Sequence, residues 1–72
     1  MAKLTKNQKS LIRMVALYYA NAGEELHING VTPKYDAHMW MYVYHCDELG
    51  LDVASHERDA AQRYLARTTV AA

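Results

Sequence analysis

Leu11, Met14, Val15, Tyr18 and Ala22 recur at the three- and four-residue intervals of one helix face, with polar residues filling most of the gaps. Thr5-Lys6-Asn7-Gln8 precedes this run as a capping box, in which Thr5 accepts from a helix amide and Gln8 reaches back. Gly23 follows it and offers a left-handed stop. The pattern predicts helix 1 over about 5–22. Residues 23–32 read as a connector. Within it, Leu26-His27-Ile28-Asn29-Gly30-Val31 alternates around an Asn-Gly turn signal, which makes a tiny hairpin the local alternative. Such a hairpin is too short to stand alone, so Leu26, Ile28 and Val31 are expected to fold back onto the helices.

Thr32-Pro33 opens the second element with a cap residue and a proline at the first helical position. Tyr35, Met39, Tyr42, Cys46 and Leu49 follow at 4-3-4-3 spacing as one seam, and Ala37, Trp40, Met41 and Tyr44 lie on the opposite side. Gly50 ends the element, with Leu51 where a Schellman motif places its apolar contact. The prediction is helix 2 over about 33–49; a strand through Met39–His45 is the rival, because Trp, Tyr and Val favour strands. Asp52 or Ser55 then caps helix 3 over about 53–67, with Val53, Ala60, Ala61, Tyr64 and Leu65 as its apolar stripe. Asp59, Arg63 and Arg67 stand four apart on its other side, as an expected ion ladder. Residues 68–72 read as a frayed tail. The fold class is therefore all-α, one small three-helix domain with the aromatic-rich second helix central. The alternative is α+β with a short hairpin.

Composition sharpens the picture of the middle helix. The rings are six Tyr and one Trp, with no Phe. Every aromatic thus carries an O–H or N–H that needs water or a partner, which suits wet interfaces. A chain of 72 residues holds one domain and buries only about 60% of its unfolded surface, so its core is thin. Cys46 is the lone cysteine, which rules out an internal disulfide and favours a reducing compartment. Met1-Ala2-Lys3-Leu4 does not resemble a secretory leader, and no apolar run approaches the roughly 20 residues that cross a bilayer. A soluble, free-standing cytoplasmic protein with no membrane partner is expected.

The zero net charge hides a layout. Lys3, Lys6, Lys9 and Arg13 make the first third basic with no acid, while Glu24, Glu25, Asp36, Asp47, Glu48 and Asp52 face only Lys34 in the middle. Two solvated ends are the plain account; opposed patches that steer a partner or an antiparallel dimer are the sharper one.

Little in the chain supports site chemistry. Of His27, His38, His45 and His56, only His38 and His45 share a face, and seven helical residues rise about 10.5 Å, too far for one ion. Cys46 lies in the apolar seam, where a thiol behaves as a small hydrophobe. The three glycines are far apart and form no phosphate loop. No cofactor, metal or catalytic residue is expected, and the chain reads as non-enzymatic.

Binding is the remaining class. Trp and Tyr are enriched at interface hot spots and Met at adaptable binding surfaces, so Trp40 and Tyr44 are the expected anchors on a protein target or a second copy, with Met41 and Tyr35 beside them. Lys6, Lys9 and Arg13 would set orientation and on-rate. Small chains without a site commonly act as inhibitors or adaptors of larger proteins, and phages and mobile elements encode many. The runner-up is a nucleic-acid partner. Cys46-Asp47-Glu48-Leu49-Gly50-Leu51-Asp52-Val53 resembles the turn of a helix-turn-helix unit. That resemblance implies DNA reading by the following helix, through Arg58, Gln62, Arg63 and Arg67. His56 and Asp59 depart from it, standing where the motif carries apolar residues, and the chain lacks a basic surplus.

Overall fold

The computed structural model describes residues 3–69. Its elements are three helices: α1 (Lys6–Asn29), α2 (Pro33–Leu49) and α3 (Ser55–Thr69). The capping box forms as its residues dictate. The Thr5 hydroxyl accepts from the Gln8 amide at 3.0 Å, and the Thr5 amide donates to the Gln8 side chain at 2.8 Å.

α1 does not stop at Gly23. It runs to Asn29, and most of the expected connector is helix. The extension brings Glu25 into a buried position, where its carboxylate accepts from the Asn29 side-chain Nδ2 (3.0 Å) and the Thr32 hydroxyl (2.6 Å). The same Thr32 oxygen accepts from the Tyr35 amide at 3.1 Å, so one hydroxyl caps α2 and ties it to the end of α1. These bonds hold the Glu25 carboxyl below its usual range, the Thr32 contact most of all. Gly30, at φ 78°, is the true stop, and its amide reaches the Leu26 carbonyl at 3.0 Å. The Asn-Gly pair thus ends a helix and turns no hairpin. Leu26, Ile28 and Val31 do not fold inward; all three are exposed.

α2 starts at Pro33 and ends in a Schellman motif around Gly50 (φ 72°), with the Leu51 amide on the Cys46 carbonyl (2.8 Å) and the Gly50 amide on that of Asp47 (3.1 Å). α3 begins two residues later than expected, and neither Asp52 nor Ser55 is its cap. Ala54 holds that position, its carbonyl accepting from Arg58 at 3.1 Å, and the Glu57 carboxylate reaches back to the Ala54 amide at 2.8 Å. Thr68 and Thr69 belong to α3; the rest of the expected tail, 70–72, lies outside the described residues.

α2 is the spine. Among the described residues α1 and α3 each pack on α2, and their backbones do not approach one another. Ala22 of α1 and Ala60 of α3 meet Tyr35 and Met39 of α2 in the main apolar cluster, with Tyr42 packed against it. Among the described residues no leucine or isoleucine is fully buried; the core consists of small residues and one aromatic-rich helix. The radius of gyration, 13.1 Å, exceeds the roughly 11 Å of a compact chain of this length. Extents of 41 × 31 × 19 Å describe a flat slab.

Gly23 is helical and exposed, and a β-carbon built there meets nothing within 4 Å. Gly23→Ala is therefore expected to stabilise the fold by about 0.5–1 kcal/mol, read as a raised denaturant midpoint. Gly30→Ala, at a left-handed position, should move the midpoint the other way.

Candidate interaction surface

The two flanks of α2 are read by different helices. His38 and His45 face α1, where the Tyr18 ring lies 6.4 Å from the first and stacks on the second at 6.0 Å. Asp36, Trp40, Val43 and Asp47 recur at 4-3-4 spacing on the flank that faces α3.

Asp36 is fully buried, at 0% exposure. Its carboxylate takes two bonds from Arg63, Nε at 3.2 Å and Nη2 at 3.0 Å, and a third from Arg67 Nη1 at 2.9 Å. The expected ladder along α3 is thus redirected across the helix pair, because a buried carboxylate attracts a guanidinium more strongly than an exposed Asp59 does. The hydrogen bond to Asp36 raises Arg63 above its ordinary value. At the other end of the pair, Arg58 grips Asp47 with bonds of 2.9 and 3.3 Å. Pairs at both ends lay α3 antiparallel along α2. A helix-turn-helix unit instead crosses its helices steeply.

Between these two clamps lies an aromatic ledge. Trp40 is half-buried, with its ring 5.2 Å from Tyr64 and 5.7 Å from Tyr44. Tyr44 is 51% exposed and meets His45 edge-on at 5.5 Å. A cavity of about 160 Å³ opens beside the ledge, lined by Trp40, Val43, Tyr44 and Asp47 of α2 and by Arg58, Ala61, Gln62 and Leu65 of α3.

The expected binding residues separate accordingly. Trp40 and Tyr44 stand together on the ledge, and Met41 is half-buried one position round the helix. Tyr35 is only 5% exposed and belongs to the core, where burial pushes its phenol up. Lys6, Lys9 and Arg13 are exposed on α1, the helix whose Tyr18 packs on the other flank of α2. Of the residues named for DNA reading, Gln62 is exposed at the cavity, Arg58 is held by Asp47, and Arg63 and Arg67 are held by Asp36. Asp36 itself was missed, although the 36-40-43-47 stripe carries an acid at each end and α3 carries arginines to match.

Other polar groups are buried away from the ledge. His45 places Nδ1 3.2 Å from Glu48, while its buried Nε2 finds no protein partner. Cys46 is buried and unpaired, and burial pushes its thiol up. Among the described residues no three His, Cys, Asp or Glu side chains gather as a metal would require. Among them also, no helix is long and apolar enough to cross a membrane. Comparison with family models, curated proteins and solved structures finds no match to this chain.

Two outcomes are expected from this geometry. Replacing both Arg63 and Arg67 with Ala strands the Asp36 carboxylate in the interior and should cost about 3–5 kcal/mol. Asp36→Ala frees two half-exposed arginines into water and should cost clearly less, so denaturant titration will rank the variants in that order. Burial, with the Cys46 thiol adding to it, pushes the Tyr42 phenol up to about 12. An unfolded chain releases that proton near about 10. Stability is therefore intact below that value and falls as pH climbs through the folded one. Tyr42→Phe should flatten the alkaline decline in denaturant midpoint.

Proposed function

We propose that this chain is a small non-enzymatic binding protein, an inhibitor or adaptor that docks on a larger protein target through the Trp40–Tyr44–Tyr64 ledge. The observation that carries the reading is the part-exposed trio of mutually tilted aromatic rings beside an open cavity, rimmed by a charged pair. Such a site offers large rigid contact area at little cost in side-chain entropy, with polar tips for hydrogen bonds at the rim. A cytoplasmic setting and a phage or mobile-element origin, in which a host protein would be the target, fit its size and lone thiol.

Charge compensation favours a protein target over DNA. The arginines of α3 are spent on Asp36 and Asp47, so α3 offers a duplex little free positive charge.

Capture of the target with the full chain as bait, by cross-linking and mass spectrometry, supplies the reagent for the test. Trp40→Ala with Tyr44→Ala should then weaken binding by about thirtyfold or more, the loss of 2 kcal/mol or more typical of an aromatic anchor. Tyr44→Ala alone, at an exposed ring, keeps the fold in place and should reproduce much of the loss. Unchanged affinity in the single and double variants would overturn the ledge as the binding face. Tight duplex binding that weakens steeply with salt would overturn the protein-target reading.

A further inference from the structure

α1 presents a second surface, on the side turned away from α2. Arg13, Leu17, Ala20 and Glu24 follow at 4-3-4 spacing and make one stripe down this outer side. All four are exposed, Leu17 at 57%. Neither Arg13 nor Glu24 has an ion-pair partner among the described residues. Among the described residues Arg13, Leu17 and Ala20 are exposed with no helix packed over them, and Glu24, also exposed, stands at the border of a pocket it shares with Lys34 and His38 of α2.

The stripe is its own complement. Turned end for end about the midpoint between Tyr18 and Tyr19, a second α1 sets its Glu24 level with Arg13 and its Ala20 level with Leu17. The same pairs recur at the other end by symmetry. A large apolar side chain then lies over a small one, which lets two helices approach closely. An opposite charge closes the contact at each end. Parallel pairing would instead stack Lys6, Lys9 and Arg13 on their own copies, so charge selects the antiparallel arrangement. The inner edge of α1, with Ile12, Tyr19 and Leu26 exposed, is apolar as well, but carries no charge pattern that chooses a partner.

We propose that the chain forms a two-fold dimer through the outer side of α1, with Arg13–Glu24 pairs flanking a Leu17–Ala20 centre. The contact runs along about 16 Å of one helix, short of the roughly 1,200 Å² of a standard interface. The dimer is consequently weak, micromolar or looser, and comes apart on dilution. This assignment stands apart from the ledge, which both copies keep free.

Sedimentation equilibrium of the full chain across a concentration series reaching the millimolar range tests it. The wild-type chain should fit a monomer–dimer equilibrium. Arg13→Glu and Glu24→Arg should each raise the dissociation constant by about tenfold, since symmetry doubles the effect of each reversal. The chain carrying both reversals should return to the wild-type value, and Leu17→Lys should abolish association. All these positions are exposed, so helicity by circular dichroism stays unchanged. A monomer throughout the series would overturn the proposal. So would a dimer indifferent to the single reversals, or a double reversal that fails to restore association.

Discussion

The buried carboxylate of Asp36 is the point on which the arrangement of this protein turns. Among the described residues the backbone of α3 approaches only that of α2, and the face it offers there is mostly alanine, so apolar burial alone gives it little purchase. Three hydrogen bonds from Arg63 and Arg67 fix the far end of α3 to the start of α2. The Arg58–Asp47 pair fixes the near end. A buried carboxylate is costly unless every partner is in place, so the clamp specifies one register more than it adds stability. The register matters because it sets the Trp40 ring 5.2 Å from that of Tyr64, between the two clamps.

The same scarcity of aliphatic core explains why polar groups recur inside so small a fold. Glu25 joins Asn29 and Thr32 to set the angle between α1 and α2, and Glu57 supplies the start of α3 that Ala54 cannot. In each case a carboxylate does what a capping hydroxyl or a larger apolar side chain would do in a bigger domain. His45, whose buried Nε2 meets no protein partner, is one more polar group held inside the fold, with Nδ1 on Glu48.

Much of the fold was legible in the residues, because helix caps and helical spacing are local signals. The capping box at Thr5, the Thr32-Pro33 start and the Gly50 stop all stand where the pattern put them. Gly23 misled because a glycine signals freedom, and the tertiary bonds of Glu25 decided that the helix continues. The α3 start was misplaced because its cap comes from an acid three residues downstream rather than from Asp52 or Ser55. For the surface, the Trp40–Tyr44 side was visible as a second apolar stripe. Tyr35 was assigned to it although its own spacing put it in the core seam. The Asp36 clamp was hidden because local charge spacing suggests pairs within α3, whereas burial, a property of the assembled fold, draws those arginines to α2.

With the backbones of α1 and α3 each approaching only that of α2 among the described residues, the domain is closer in connectivity to a short stacked array than to a closed bundle. Its stability is then closer to two nearest-neighbour terms sharing one middle member. Perturbations on the α1 side reach α3 chiefly through the middle helix and the small apolar cluster around Ala22 and Ala60. In such an arrangement the middle helix, packed on both sides, is the last to open, and the outer helices are the elements able to open locally. A partner seated between α2 and α3 can therefore tighten that half of the molecule while the other half keeps its own motion.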